Sequence, residues 1–261
     1  MTKIIKNKKK KNHNIKKNSV KYNKKSKILY FFWYIITVHI IRYFFILINK
    51  PDFLAFRKSE ITTNWTFTNF ISFFSRQSVI LIFIIITLNL FTNYQNKKWF
   101  RYLAFIGLID ILLSSLAYNF IIDNLNMLKN IYKNYNFLSI SYFENVVFPF
   151  FYLIFFFVSK NIKNINLKKN YISLIHPSLY LFFFIIINSY NENLMPYPYS
   201  FINPKIGKCL LNFLYDKEPK GWIGLFINFS LISFIIYFLG LIILNFKKIF
   251  SNYNNKNKYY K

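Results

Sequence analysis

The sequence predicts an all-α fold, an integral membrane bundle of six transmembrane helices. Three observations carry that prediction. The chain is 54% hydrophobic and 23% aromatic, yet its formal net charge is +27. The apolar residues fall in runs long enough to cross a bilayer. The lysines fall in blocks between those runs, as loops do between spans, where a soluble chain would spread them along its length.

Residues 1–27 form a Lys/Asn tail with twelve lysines and no apolar periodicity. It reads as a disordered basic cytoplasmic tail that holds the N-terminus inside and meets anionic lipid headgroups. Nucleic acid is not an expected partner. A secretory signal is not expected either. The charged region is too long, and the apolar stretch from Ile28 lacks a small-residue cleavage site.

Six segments reach the length of about 20 apolar residues that a spanning helix needs. They lie at Ile28–Asn49, Thr68–Phe91, Phe100–Ile122, Phe137–Ser159, Tyr171–Ile187 and Trp222–Phe246. Their length and lack of strict alternation favour helix over strand, and a lipid-exposed strand would have to close into a barrel. Residues 28–246 thus form the membrane domain, and 247–261 a second basic cytoplasmic tail. Lys97, Lys98 and Arg101, then Lys160, Lys163, Lys168 and Lys169, then Lys247 and Lys248 mark one side. The other side mixes Lys50, Arg57 and Lys58 with Asp52 and Glu60, and four lysines with Glu192, Asp216 and Glu218. The positive-inside rule then puts both termini in the cytoplasm of a multi-pass cell-membrane protein, with the lipid bilayer as its constant partner.

Phe, Ile, Asn, Lys and Tyr are abundant and Gly and Ala scarce, as in a very AT-rich coding sequence. Residues that run against this drift carry more information. An ionisable group inside a span costs at least about 2.5–3.5 kcal/mol, so it normally faces the bundle interior with a partner. The spans hold His39 and Arg42, then Ser75, Arg76, Gln77 and Ser78, then Asp110, then Glu144 and Asn145, then His176. Counting from the expected ends, Arg42, Ser75, Arg76, Glu144 and Asn145 all fall roughly 10–12 Å below the outer surface. His39 falls at roughly 15 Å and Asp110 at roughly 18 Å. This polar cluster of Arg42, Arg76, Gln77, Asp110 and Glu144 reads either as a polar cavity in the outer half or as an ion-pair network that locks the bundle. His176, next to Pro177, reads as an interfacial histidine toward the opposite leaflet. The loop after the fifth span carries Tyr197, Pro198, Tyr199 and Phe201 within a Tyr/Pro-rich stretch, expected as a stiff aromatic cap over the outer mouth.

The single cysteine, Cys209, excludes an internal disulfide and a cysteine-based metal site. There is no glycine-rich phosphate loop, no HExxH and no nucleophile elbow, so no metal and no cofactor is expected.

Phe73-Phe74-Ser75-Arg76-Gln77-Ser78-Val79 is similar to a second-span motif that reads roughly Tyr-Phe-Thr-x-Gln-Ser-Asn. Further on, Pro177, Tyr180, Tyr197-Pro198-Tyr199-Ser200-Phe201 and Gly207 match, in order, a later stretch of the same family. Over about residues 28–246 the chain resembles bacterial, mollicute-type six-span membrane proteins of the Pr-six-Pr type. These are related to the androgen-induced and androgen-dependent integral membrane proteins. The resemblance implies hydrolysis of lipid esters by a hydroxyl nucleophile, which Ser75 would supply. It also implies a histidine four residues before a fourth-span proline. Pro149 matches that proline, but Asn145 stands where the histidine belongs and has no imidazole to accept a proton.

Two readings follow. The favoured one is a membrane protein that binds a lipid or solute in its outer-half cavity without catalysis. The alternative is an intramembrane hydrolase acting on a lipid ester ligand. There Ser75 would be the nucleophile, His39 or a water held by Glu144 the base, and Asn145 or Arg76 the group that steadies the oxyanion or holds a substrate carboxylate.

Overall fold

The computed structural model describes residues 27–45, 48, 73–122, 140–159, 162, 165–190, 197, 199–205, 209–210 and 219–259. Among these the chain is helical, with no strand. Six helices are long and apolar enough to cross a membrane: α1 Lys27–Phe45, α2 Phe74–Phe91, α3 Lys98–Phe120, α4 Ile140–Val158, α5 Leu167–Ile187 and α6 Gly221–Phe250. Residues 1–26, the 50–67 loop and Pro198 lie outside the described residues.

Three boundaries differ from those the run lengths predict. Phe73 is extended (φ −76°, ψ 124°), so α2 begins at Phe74 and not at Thr68. Ser75 and Arg76 therefore stand in the first turn of the helix. The fifth helix begins at Leu167, not Tyr171, because residues Leu167–Leu174 form a 3₁₀ segment whose N-terminus is capped by Asn166. Pro177 follows two residues after Leu174, beyond Ile175 and His176. It can supply no N–H to a carbonyl four residues back, which is compatible with a tighter turn just before it. The last helix does not stop at Phe246. It runs on to Tyr259, so the basic stretch expected as a tail is helical as far as it is described.

Successive helices run antiparallel. Trp33 near the start of α1 donates to Thr87 Oγ1 near the end of α2 (3.0 Å), while Tyr43 near the end of α1 reaches the start of α4. Helix α3 is the central element. Phe100, Ala104, Phe105, Leu108, Ile109 and Ile111 are wholly buried. They pack against Val79, Ile82 and Ile85 of α2 and Phe148, Tyr152 and Phe156 of α4. Lipid tails are as apolar as these side chains, so close packing and hydrogen bonds, not apolar burial, hold such helices together. Gly107 illustrates the closeness, since a Cβ there would lie 2.7 Å from Ile85 Cδ1. At Gly240 of α6 a Cβ would collide with the Asn170 amide, which donates to Tyr237 O (2.7 Å) and joins α5 to α6. The outward face of the bundle is apolar, with Phe31, Phe44, Phe150, Phe182, Phe226 and Phe234 all more than half exposed.

One cation is built into this packing. Lys247 on α6 is buried, and its Nζ donates to the carbonyls of Phe156, Phe157 (3.0 Å) and Ser159 (3.1 Å). The first two are among the last carbonyls of α4, which have no partner within their own helix, and Ser159 caps its end. The ammonium also lies 5.0 Å from the centre of the Phe156 ring. A positive charge at a helix C-terminus is further favoured by the helix dipole.

Candidate functional site: a buried polar layer at the start of helix α2

No side chain of α2's own N-cap residue satisfies the first N–H groups of that helix. Tyrosines of other elements approach them. The phenol oxygen of Tyr199 lies against the backbone N–H groups of Phe74 and Ser75, and that of Tyr180 against Phe74. Tyr199 keeps part of its ring exposed, but its hydroxyl is enclosed. Burial, with the Glu144 charge adding to it, pushes the Tyr199 phenol above its ordinary range, so it stays protonated at neutral pH. The Tyr199 ring stacks on Phe201 (5.2 Å, 14°) and meets Phe73 edge-on (6.2 Å). Tyr197 packs on Phe184 of α5 (6.0 Å). Three of the expected cap residues thus sit over the beginning of α2, and Pro198 lies outside the described residues.

Beneath them lies the carboxylate of Glu144, 3% exposed. Tyr43 on α1 donates its hydroxyl to Oε1 (2.5 Å), and Ser75 on α2 donates to Oε2 (2.8 Å). Arg76 Nε is 3.6 Å from Oε1, with its guanidinium 4.6 Å over the Phe73 ring. A buried carboxylate is tolerated only when it is paired and hydrogen-bonded, and Glu144 is both. The start of a helix adds a partial positive charge near the same anion. Three helices therefore converge on one acidic side chain. Arg42, next to Tyr43 in sequence, and Gln77, next to Arg76, are half-buried at the margin.

The opening of α4 is wound as a π segment, Phe143–Val147, ahead of Pro149. A proline cannot bond the carbonyl four residues back and its ring crowds that oxygen. That carbonyl belongs to Asn145, and α3 takes it over. Ser115 Oγ donates to Asn145 O (2.5 Å) and Asn119 Nδ2 does the same (3.2 Å). The Asn145 side chain donates to Ser141 O (3.0 Å). Two acceptors remain. Asn145 Oδ1 and Asn119 Oδ1 are buried and have no partner among the described residues.

His39 is enclosed by rings, with Tyr43 at 4.7 Å, Phe148 at 4.9 Å and Phe143 at 5.5 Å, and its Nε2 has no hydrogen-bond partner among the described residues. No hydrogen bond joins it to Ser75. Among the described residues His39 packs on Tyr43, which with Ser75 donates to Glu144.

The placement of His176 corrects the sequence reading. It does not stand apart from the other polar groups. The helix starts earlier than expected and its 3₁₀ stretch rises about 2 Å per residue, so His176 stands further along it. Its Nδ1 is 2.8 Å from Oδ2 of Asp110, which is fully buried, and its ring stacks on Phe74 (5.3 Å, 28°). Asp110 accordingly pairs with His176 and not with the Glu144 cluster. Tyr43, Tyr180 and Asn119 also belong to this layer, and sequence reasoning passed over them. Tyr and Asn are too common here to stand out singly, although Tyr180 lies in the stretch that carries the family resemblance.

No family model, curated protein or solved structure matches this chain. Among the described residues no group of three or more His, Cys, Asp or Glu side chains is placed to hold a metal ion.

Proposed function

We propose that this chain is a multi-pass protein of the cell membrane, with both termini in the cytoplasm, that binds the polar end of a lipid or small solute in its outer-half polar layer without turning it over. The lysine-rich N-terminal segment would meet anionic headgroups on the cytoplasmic side. One observation carries the binding reading. Asn119 Oδ1 and Asn145 Oδ1 are buried acceptors with no partner among the described residues, where α3 meets the opening of α4. Each such orphan costs about 1–3 kcal/mol, which a ligand bearing hydroxyl or ammonium donors would recover. The test is mass spectrometry of what stays bound through purification. A retained donor-bearing lipid or solute is expected, and Asn145→Leu should lose it severalfold while keeping the carbonyl that Pro149 frees. A wild-type protein that retains no such molecule would refute the reading.

A second reading, ester hydrolysis, has its own support. The Ser75 hydroxyl sits at a helix start, 2.8 Å from a carboxylate and beside backbone N–H groups that now face phenol oxygens. A hydroxyl, a proton acceptor and N–H donors are the parts of an acyl-transfer site. Against it, Glu144 is shared with Tyr43 and Arg76 and not reserved for Ser75. This reading also rests on the family resemblance described above. Purified protein and its Ser75→Ala variant should differ in turnover of lipid esters if it holds, and equal rates would remove it.

A further inference from the structure

We infer that the end of the bundle where α3 and α5 begin holds the phosphate of an anionic phospholipid, met by lysines of those two helices around Tyr102. The inference rests on the membrane-spanning part of the reading above and not on the outer-layer ligand. Lys98 and Tyr102 are four residues apart and share a face of α3. From α5, Lys169 Nζ comes 5.4 Å from the centre of the Tyr102 ring. Lys97 and Lys168 stand next to these two in sequence, and all four lysines are exposed. Lysines of two helices are thus brought within about a turn of one ring.

The chain supplies no counter-charge at this end. The antiparallel run of the helices gathers the starts of α1, α3 and α5 with the ends of α2, α4 and α6. No Asp or Glu occurs at 1–51, 61–109, 145–191 or 219–261, the stretches that contain every helix end and connection on this side. Among the described residues the only acids, Asp110 and Glu144, are buried inside the bundle. Clustered like charges repel, so an anion from outside is favoured there. The aromatic border names its source. Trp99 is 47% exposed beside Lys98, and Tyr171 is 57% exposed two residues after Lys169. Ile175 and Leu179 follow on the apolar outward face of α5. The exposed surface thus passes from apolar side chains through Trp and Tyr to lysine, the order in which a bilayer passes from hydrocarbon to headgroups. Ammonium groups at that level meet lipid phosphates. Phosphatidylglycerol brings a net negative charge, whereas the cation of a choline headgroup opposes the lysines.

The experiment measures, by electron paramagnetic resonance, how strongly spin-labelled phosphatidylglycerol and phosphatidylcholine associate with the full-length protein in phosphatidylcholine vesicles. The wild type should prefer phosphatidylglycerol. Lys98→Gln with Lys169→Gln should lower that preference at least about five-fold, the worth of one lysine near the surface. Both lysines are exposed, so the variant keeps its fold. Lys16→Gln with Lys17→Gln removes the same charge from the N-terminal segment and should lower the preference less. No preference in the wild type, or one unchanged by the Lys98 and Lys169 replacements, overturns the proposal. An equal fall in the two variants would make the effect one of overall charge and overturns it as well. Loss of the preference on adding inorganic phosphate at constant ionic strength would assign the lysines to a soluble anion, against the lipid. A protein that does not enter the vesicles defeats the membrane reading, and this site with it.

Discussion

Replacing Glu144 with alanine is expected to lower the stability of the folded protein by about 3–5 kcal/mol, the cost of leaving a buried charge without its partner. Arg76 would lose its counter-ion, and the hydroxyls of Tyr43 and Ser75 would lose their acceptor, all in a region closed to water. Thermal or denaturant unfolding in detergent reads this directly. A double replacement, Glu144→Ala with Arg76→Met, should recover part of the loss, because no unpaired charge is then buried. A Glu144→Ala protein within about 0.5 kcal/mol of wild type, the range of an ordinary surface substitution, would show that the three-helix convergence on this carboxylate does not hold the bundle.

Lys247→Met is expected to cost about 2–4 kcal/mol, since hydrogen bonds to a charged donor are worth more than neutral ones and the orphaned carbonyls of α4 cannot be supplied otherwise. Methionine fills a similar volume, so packing against Phe156 and Phe157 is largely kept and the loss reports the ammonium. The neighbouring Lys248 is exposed, and Lys248→Met should be nearly silent. Unfolding curves of the two variants measured side by side make the test. Equal stability of the two would mean that the end of α4 does not depend on Lys247.

The difference between these two residues shows what could be read in the sequence. Glu144 and Arg76 run against the compositional drift inside apolar runs, and only an inward, paired placement makes such residues affordable. Their neighbourhood could therefore be anticipated from depth alone. Lys247 could not. It stands at the head of a basic stretch, and one lysine among so many carries no signal for burial. The six long apolar helices were legible because the run length that a bilayer requires can be counted in the sequence. His176 stands further along its helix than a start at Tyr171 implies, because the helix begins at Leu167 and its first segment, Leu167–Leu174, is 3₁₀ and rises faster than an α-helix. Tyr43 and Tyr180 stayed hidden for a further reason. Which hydroxyl meets a carboxylate or a helix start depends on rotation about the helix axis, and the uniformly apolar faces of these spans leave that rotation unmarked.

Pro149 has a wider consequence for the position four residues before it. The proline's ring, and not the side chain at 145, is what makes that position a junction, because it releases the backbone oxygen that Ser115 and Asn119 occupy. The scaffold there is written in main-chain atoms. The residue at 145 is then free to change its chemistry without disturbing the joint between α3 and α4. An imidazole and an amide could each be carried on the same mount, so two chains could share this architecture and differ in whether the group it presents can take up a proton.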